Sequence, residues 1–294
     1  MKDFRRLINK VSLKIISLPP FHLLNDKDYL KLRFRFATGK KLNLKDPAGF
    51  SEKIQWLKLN NKDARLPDLV DKIKAKDYVI QKIGAEYVSK TLCVWDDAEK
   101  IDTGDLPDKC VLKCNHDSGS TLIFEKENKD DGYIKSFFDK RLNANYFFAG
   151  REWPYKSIVP KVFAEEYLPL SNDSYDLKFF CFCGTPKVAV RYGKKGKGEM
   201  SYYDMSWKRY DCYQSRNPVS PDFPMPECFE SLKKSAMALA SDFPFVRVDF
   251  VVDKDKYWFS EMRFFPSSGF SPICPEEAEK TFGSFIDIKK QVKE

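Results

Sequence analysis

Two short runs in the last fifth of the chain carry the residue types needed for metal and phosphate chemistry: Arg247-Val248-Asp249 and Glu261-Met262-Arg263. They lie within residues 246–252 and 257–264, which read as a β-hairpin around Asp253-Lys254-Asp255-Lys256. Successive side chains of a strand point to opposite faces, so Val246, Val248, Phe250 and Val252 share one face and Arg247 and Asp249 the other. On the second strand Trp258, Met262 and Phe264 share a face, with Glu261 and Arg263 opposite. Asp249 and Glu261 then lie directly across from each other only with an odd-length loop or a bulge near Asp255. Two carboxylates and two guanidinium groups on one surface are costly to bury without a purpose. Paired carboxylates with room for water and phosphate oxygens are a usual way of holding Mg2+. The alternative is a solvated ionic face on a half-exposed sheet.

A second run, residues 110–123 (CVLKCNHDSGSTLI), reads as a strand that ends in Lys113 and feeds a small-residue loop. It lacks the order of a Walker P-loop. Backbone amides around Ser118, Gly119, Ser120 and Thr121 could still cradle a phosphate, with Lys113 as a point charge. His116 beside this loop is the one histidine placed to shuttle a proton. A third run, Glu165-Glu166-Tyr167-Leu168, is a strand exit able to offer backbone groups to an adenine edge, with Asp176 and Lys178 on the strand that follows. Taken singly, these two runs also fit a lysine beside a glycine turn and a pair of ordinary strands.

The whole chain restricts the chemistry further. It has 294 residues, 51 Lys+Arg against 43 Asp+Glu for a net charge of +8, and two histidines. Imidazole-based triads and multi-histidine zinc sites are nearly excluded, which leaves Lys, Arg and carboxylates. A content of 43% hydrophobic and 15% aromatic residues predicts a globular chain. The eight cysteines lack C-x-x-C spacing, and Cys110, Cys114 and His116 have no evident fourth zinc partner. A reducing cytoplasm is the expected location. No transmembrane helix or signal peptide is expected, since Lys14 breaks the opening apolar stretch. Charge alone leaves the anionic partner open, and no nucleic-acid motif appears, so nucleic acid is not an expected partner.

Positioning falls to the elements between these runs. Residues 1–20 read as a basic amphipathic helix, either packed on its own domain or in peripheral contact with an anionic membrane at the inner face of the cell membrane. Residues 46–84 read as two helices, and β-rich texture follows Gly84. Strands are expected at 110–114, 162–168, 177–183 and 187–192, with a hairpin turn at Gly184-Thr185-Pro186. The basic loop 193–198 reads as a lid over phosphates or as a solvated tip. The four prolines within 217–226 predict an irregular crossing, followed by a helix over 227–241 and a last helix opening at Pro275.

In this order the runs resemble the ATP-grasp superfamily, and more closely the teichuronopeptide-biosynthesis-like (TupA-like) ATP-grasp family encoded with bacterial surface-polysaccharide genes. The resemblance spans about residues 50–285, through 50–59 (FSEKIQWLKL), 111–119 (VLKCNHDSG), 150–156 (GREWPYK), 176–183 (DLKFFCFC), 243–250 (FPFVRVDF) and 268–270 (SGF). It implies an α+β ATP-grasp fold: a mainly helical N-terminal region (1–90), then two α+β subdomains (91–168 and 169–294) clasping ATP and Mg2+. It implies that Lys113 and residues 118–120 hold phosphates, that Glu165, Glu166, Tyr167 and Leu168 meet adenine, and that Asp176 and Lys178 approach ribose or phosphate. Lys72 is a further nucleotide candidate. Asp249 and Glu261 match the metal-binding carboxylates, Arg247 the arginine facing an acyl phosphate, and Ser267, Ser268 and Gly269 a loop that recognises an anionic group. Arg263 is a departure, since many ATP-grasp ligases carry Asn there and a cation cannot ligate Mg2+.

The activity so implied joins a carboxylate to an amine through an acyl phosphate. Its expected substrates are a uronic acid of a bacterial capsule or O-antigen and an amino acid or other amine. A sugar-nucleotide glycosyltransferase using Asp253-Lys254-Asp255 as a D-x-D motif, an ATP-grasp kinase, and a non-enzymatic polymer- or membrane-binding module are the competing expectations.

Overall fold

The computed structural model describes residues 19–193, 199–214 and 221–288. The helix expected over 1–20 and the loop at 193–198 fall almost wholly outside the described residues, as does the first half of the proline-rich stretch. Among the described residues no helix is long and apolar enough to cross a membrane.

Two antiparallel sheets carry the chain's α+β architecture. The first contains β1 (Thr91–Trp95), β2 (Lys109–Cys114), β3 (Leu122–Glu125) and β4 (Val162–Glu166) in the order β1-β4-β2-β3. One face, with Cys110, Leu112, Val162 and Ala164, packs on Ile134 and Phe138 of the helix Asp131–Leu142. The alternate residues Val111, Lys113, Phe163 and Glu165 must therefore point the other way.

The second sheet contains β5 (Tyr175–Phe182), β6 (Thr185–Tyr192), β7 (Met200–Tyr203), β9 (Phe245–Asp253) and β10 (Lys256–Arg263) in the order β10-β9-β5-β6-β7. The helix Phe229–Ala240 covers it through Phe229, Leu232, Ala236 and Leu239. Central strand β9 is buried from Phe245 to Phe250, on both faces. The turn between β5 and β6 falls at Cys183-Gly184, one residue before the expected position. Both residues have positive φ, and a side chain on Gly184 would run into the carbonyl of Ser241. A two-stranded sheet of β8 (Tyr213–Gln214) and β11 (Ile273–Cys274) closes the fold, followed by the helix Glu276–Ser284.

The N-terminal helices differ from the expected pair. Asp26–Thr38 and Phe50–Asn60 form, but the next helical pattern is split into Leu66–Val70 and Lys74–Ile83. Asp71 makes the break: its carboxylate accepts from the backbone N–H of Ile73 at 2.9 Å and from Asn115 Nδ2 at 2.8 Å. This local side-chain bond competes with a continuous helix. It also leaves Lys72 in the gap, facing the loop after β2.

Candidate active site

The hairpin places its four ionic side chains together, by a route other than the one expected. The turn has two residues, Lys254 and Asp255, because Asp253 pairs with Lys256. Such an even loop would have put Glu261 on the apolar face. The ladder shifts instead between Phe259 and Glu261, where Ser260 is the extra residue, so Glu261 pairs with Asp249 and Arg263 with Arg247. The bulge is thus several residues from Asp255.

These groups form one buried network. Arg247 binds Asp249 with both arms of its fork, Nε to Oδ1 at 2.7 Å and Nη2 to Oδ2 at 2.6 Å. Lys178 on β5, paired with Asp249 in the ladder, brings Nζ to 3.3 Å from Oδ2 and to 3.7 Å from Asp176. Arg263 Nε donates to Glu261 Oε1 at 2.7 Å, while its Nη2 reaches Ser118 Oγ at 3.0 Å on the loop of the first sheet. Burial alone would raise the Glu261 carboxyl, but Arg263, Arg247 and Lys72 outweigh it and hold the group down at about 2.

The loop after β2 is fixed from behind. Lys72 Nζ donates to the carbonyls of Cys114, at 3.1 Å, and Asp117. Burial lowers its ammonium, with Glu261 and Asp117 opposing. Gly119 has φ of 89°, and the space where its side chain would be is open. The Ser120 hydroxyl accepts from Cys114 N at 2.9 Å and donates to Asp117, so its side chain closes the loop and does not face the cleft. The phosphate contact expected of Ser120 is through its backbone amide, which is separate from these side-chain bonds. His116 does need a correction. It is buried, Nδ1 meets Asn115 Oδ1 at 3.3 Å, and Nε2 meets the carbonyls of Arg141 and Ala144, each at 3.2 Å. Both ring nitrogens are committed to the protein, so the ring anchors the loop to the helix Asp131–Leu142 and is not placed as a proton shuttle.

Lys113 and Glu165 meet across the inner face of the first sheet. Glu165 accepts from Lys113 and, at 2.9 Å, from Lys76 on the helix Lys74–Ile83, and Ser89 Oγ adds a bond at 2.8 Å. Burial raises the Glu165 carboxyl, but Lys113 and Lys76 together pull it below its ordinary value. Its side chain is therefore an anchor for two lysines, and only the backbone from residue 165 onward remains for an adenine edge. Glu166 turns away and accepts from Lys90 N at 2.9 Å. Tyr167 lies under Lys109, with Nζ 4.3 Å from the ring centroid. A cavity of about 400 Å3 runs between the sheets, lined by Val111, Lys113, Ile123, the 165–168 exit and Val251 of β9.

The loop Pro266–Gly269 borders the ionic network, with Ser267, Ser268 and Gly269 all at positive φ. Helix Phe50–Asn60 holds it: Gln55 Nε2 donates to the carbonyls of Ser268 (2.8 Å) and Gly269 (2.9 Å), and Lys58 Nζ to those of Ser268 and Gly150, both at 2.7 Å. A side chain at Gly269 would strike Gln55 and Ile54. Ser268 Oγ donates to Glu152. Sequence reasoning did not single out Lys58, Lys76 or Glu152. The signal for Lys58 and Glu152 lay in the 50–59 and 150–156 motifs, which quote both without assigning them. Lys76 sits in an ordinary amphipathic helix and gave no signal.

No group of three or more His, Cys, Asp or Glu suited to a metal occurs among the described residues. The donor set at the hairpin is two carboxylates, and the contacts of Glu261 fall on Oε1. That set fits a hard cation that brings most of its own oxygen ligands, and does not fit zinc. The eight cysteines are free thiols.

No curated protein matches the chain. Among solved structures it is similar to a D-alanine–D-alanine ligase from Bacillus anthracis complexed with ATP (13% identity, 76% of this chain and 65% of that one, TM-score 0.44). It is also similar to an L-amino acid ligase from Bacillus licheniformis (12%, 86% and 58%, TM-score 0.46). A further likeness is to a RimK domain ATP-grasp protein from Sphaerobacter thermophilus (13%, 76% and 68%, TM-score 0.39). The chain thus spans less than two thirds of the length of both named ligases. The family model for TupA-like ATP-grasp proteins matches residues 52–287, a stretch that includes both sheets and every element of the site. On that match, the chain belongs to the TupA-like ATP-grasp family.

Proposed function

We propose that the chain is an ATP-dependent carboxylate–amine ligase that joins a uronic acid of a bacterial surface polysaccharide, or its precursor, to an amino acid or other amine. One observation carries the reading: Asp249 and Glu261 are paired across the hairpin among Arg247, Arg263, Lys178 and Lys72, and Asp249 lies two positions along β9 from Val251, which lines the cavity between the two sheets. Membership of the family supplies the ATP and the ligation chemistry. The saccharide comes from the resemblance alone.

Adenine occupies the cavity lined by Val111, Ile123 and residues 165–168. The phosphates run toward Ser118 and Gly119, within reach of Lys113, Lys178 and Lys72. Mg2+ would be held by Asp249 and Glu261 and would offset phosphate charge there. The carboxylate of the acceptor attacks the γ-phosphorus and ADP leaves. Arg247 and Arg263 neutralise charge on the transferring group, for which positioning and positive potential matter more than a neutral-range base. The amine nitrogen, after its ammonium form gives up one proton, forms the C–N bond; phosphate leaves with the C–O electron pair, and the nitrogen's second surplus proton passes to solvent.

The D-x-D reading loses support, because Asp253 holds the Ser171 backbone N–H at 2.9 Å and its hydroxyl as well. The proposal is tested by coupled ADP release over a matrix of uronic acids and amines, with the product mass determined. An amide product with ADP supports it. A phosphorylated product identifies a kinase, and sugar transfer without ATP identifies a glycosyltransferase.

A further inference from the structure

Glu152 is a buried carboxylate without a contacting cation among the described residues. It follows Arg151, whose left-handed backbone (φ 55°) ends the short helix Phe147–Gly150, and it is 8% exposed. Oε1 accepts from the Ser268 hydroxyl, and Oε2 takes no hydrogen bond from the described residues. The other buried acids of the cleft are each in contact with cations: Asp249 with Arg247 and Lys178, Glu261 with Arg263, Glu165 with Lys113 and Lys76. The cation nearest in effect to Glu152 is Lys58, but its ammonium is bonded to the carbonyls of Gly150 and Ser268.

The surroundings place this carboxylate at the reaction end of the cleft. Arg263 and Arg247 lie within electrostatic reach of it. So do Tyr146 and Tyr155, whose rings pack edge to face with centroids 4.9 Å apart, and Tyr155 is also within reach of Arg263 and Glu261. Burial pushes the Glu152 carboxyl up, with Lys58 opposing. Oε2 is not among the fully enclosed atoms left without a partner, so the unbonded oxygen of this largely buried carboxylate keeps an opening to the cleft through which a donor can reach it.

We infer that Glu152 is the receptor for the ammonium group of the amine co-substrate, with Oε1 fixed by Ser268 and Oε2 presented to the incoming nitrogen. This rests on the ligase reading above and extends it by naming the chemical class selected: primary ammonium compounds, in preference to hydroxyl compounds of the same shape. A neutral alcohol would leave the carboxylate uncompensated. Lys58 acts as a positioning residue, because it ties together the Gly150 and Ser268 backbones on which Glu152 and its hydroxyl partner are carried.

The test is calorimetric titration of the full chain, loaded with Mg2+ and a non-hydrolysable ATP analogue. The probes are glycine, L-alanine, D-alanine, L-lysine, L-glutamate, ethanolamine and putrescine, with glycolate, L-lactate and ethylene glycol as hydroxyl counterparts. At least one amine should bind the wild type, its hydroxyl counterpart at least about tenfold more weakly, and Glu152→Gln should weaken the amine by about 30-fold or more. Ser268→Ala, which keeps the carboxylate and frees its Oε1, should weaken the amine several-fold and decides the matter if Glu152→Gln does not fold. No amine binding to the wild type, equal binding of amine and alcohol, or affinity unchanged in the folded variants would overturn the inference. The ligase reading is scored separately, by ATP-dependent hydroxamate formation from glucuronate or galacturonate with hydroxylamine in the wild type.

Discussion

Asp249 and Glu261 stand opposite each other because Ser260 is an extra residue in strand β10. Upstream of it the hairpin follows the register set by its two-residue turn, and downstream the register moves by one. One-residue shifts send every later side chain to the other face, so the bulge alone decides whether the hairpin presents Glu261 or Met262 to the cleft.

Arg263 joins the two sheets, bonding Glu261 through Nε and Ser118 through Nη2. A lysine there has one compact ammonium and cannot span both partners in the same geometry. Arg263→Lys should lower ATP-dependent turnover by about tenfold or more with little change in melting temperature, consistent with a loss of about 1.4 kcal/mol of positioning. Steady-state ADP release and thermal unfolding check it.

Glu165 holds two lysines, and the three groups do not have equal weight. Glu165→Gln leaves Lys76 and Lys113 without their anion and should destabilise by about 3 kcal/mol. Lys113→Met should destabilise far less, since Lys76 and Ser89 still satisfy Glu165, while nucleotide affinity falls. Denaturant midpoints and nucleotide titration separate the two effects.

Stability should depend on pH through Glu152. Its carboxyl is raised in the folded chain, so the folded state holds more protons than the unfolded one above about pH 4.3, and wild-type stability falls as pH climbs through the folded value. Glu152→Gln cannot lose that proton. Its melting temperature should match the wild type below about pH 4 and exceed it at pH 8, by about 2 °C for each kcal/mol.

Asp253 shares a face of β9 with Asp249 and Val251, but its carboxylate is taken up by the Ser171 backbone N–H and hydroxyl. Asp253→Asn keeps an oxygen able to accept from Ser171, at the border of the proposed adenine cavity, so it should lower the melting temperature slightly and leave metal-dependent turnover within about twofold. A metal-dependent loss of activity in this variant would restore the D-x-D reading.

Much of the site was legible in the sequence because strand alternation and residue type together assign faces. Arg247, Asp249, Glu261 and Arg263 fall where the pattern put them, although the pattern could not locate the bulge, which depends on pairing between strands. The role of His116 and the side-chain bonds of Ser120 were hidden for a related reason. Their proximity to the loop was visible, but the carbonyls of Arg141 and Ala144 and the Asp117 carboxylate that claim them become neighbours only through tertiary folding. Asp71 was equally hidden, since its bond to Asn115 spans 44 positions and breaks a helix whose local pattern is continuous. Lys58 read as a polar residue on a helix and is instead buried beneath the Pro266–Gly269 loop.

The paired carboxylates are tested most directly by Asp249→Asn, measured as ADP release at saturating Mg2+ and ATP with a uronic acid and an amine that the wild type accepts. Turnover should fall by at least about 100-fold with the fold intact by circular dichroism, the scale of a lost electrostatic contact in the transition state. Turnover within a fewfold of wild type would contradict the pair's assignment as the metal carboxylates.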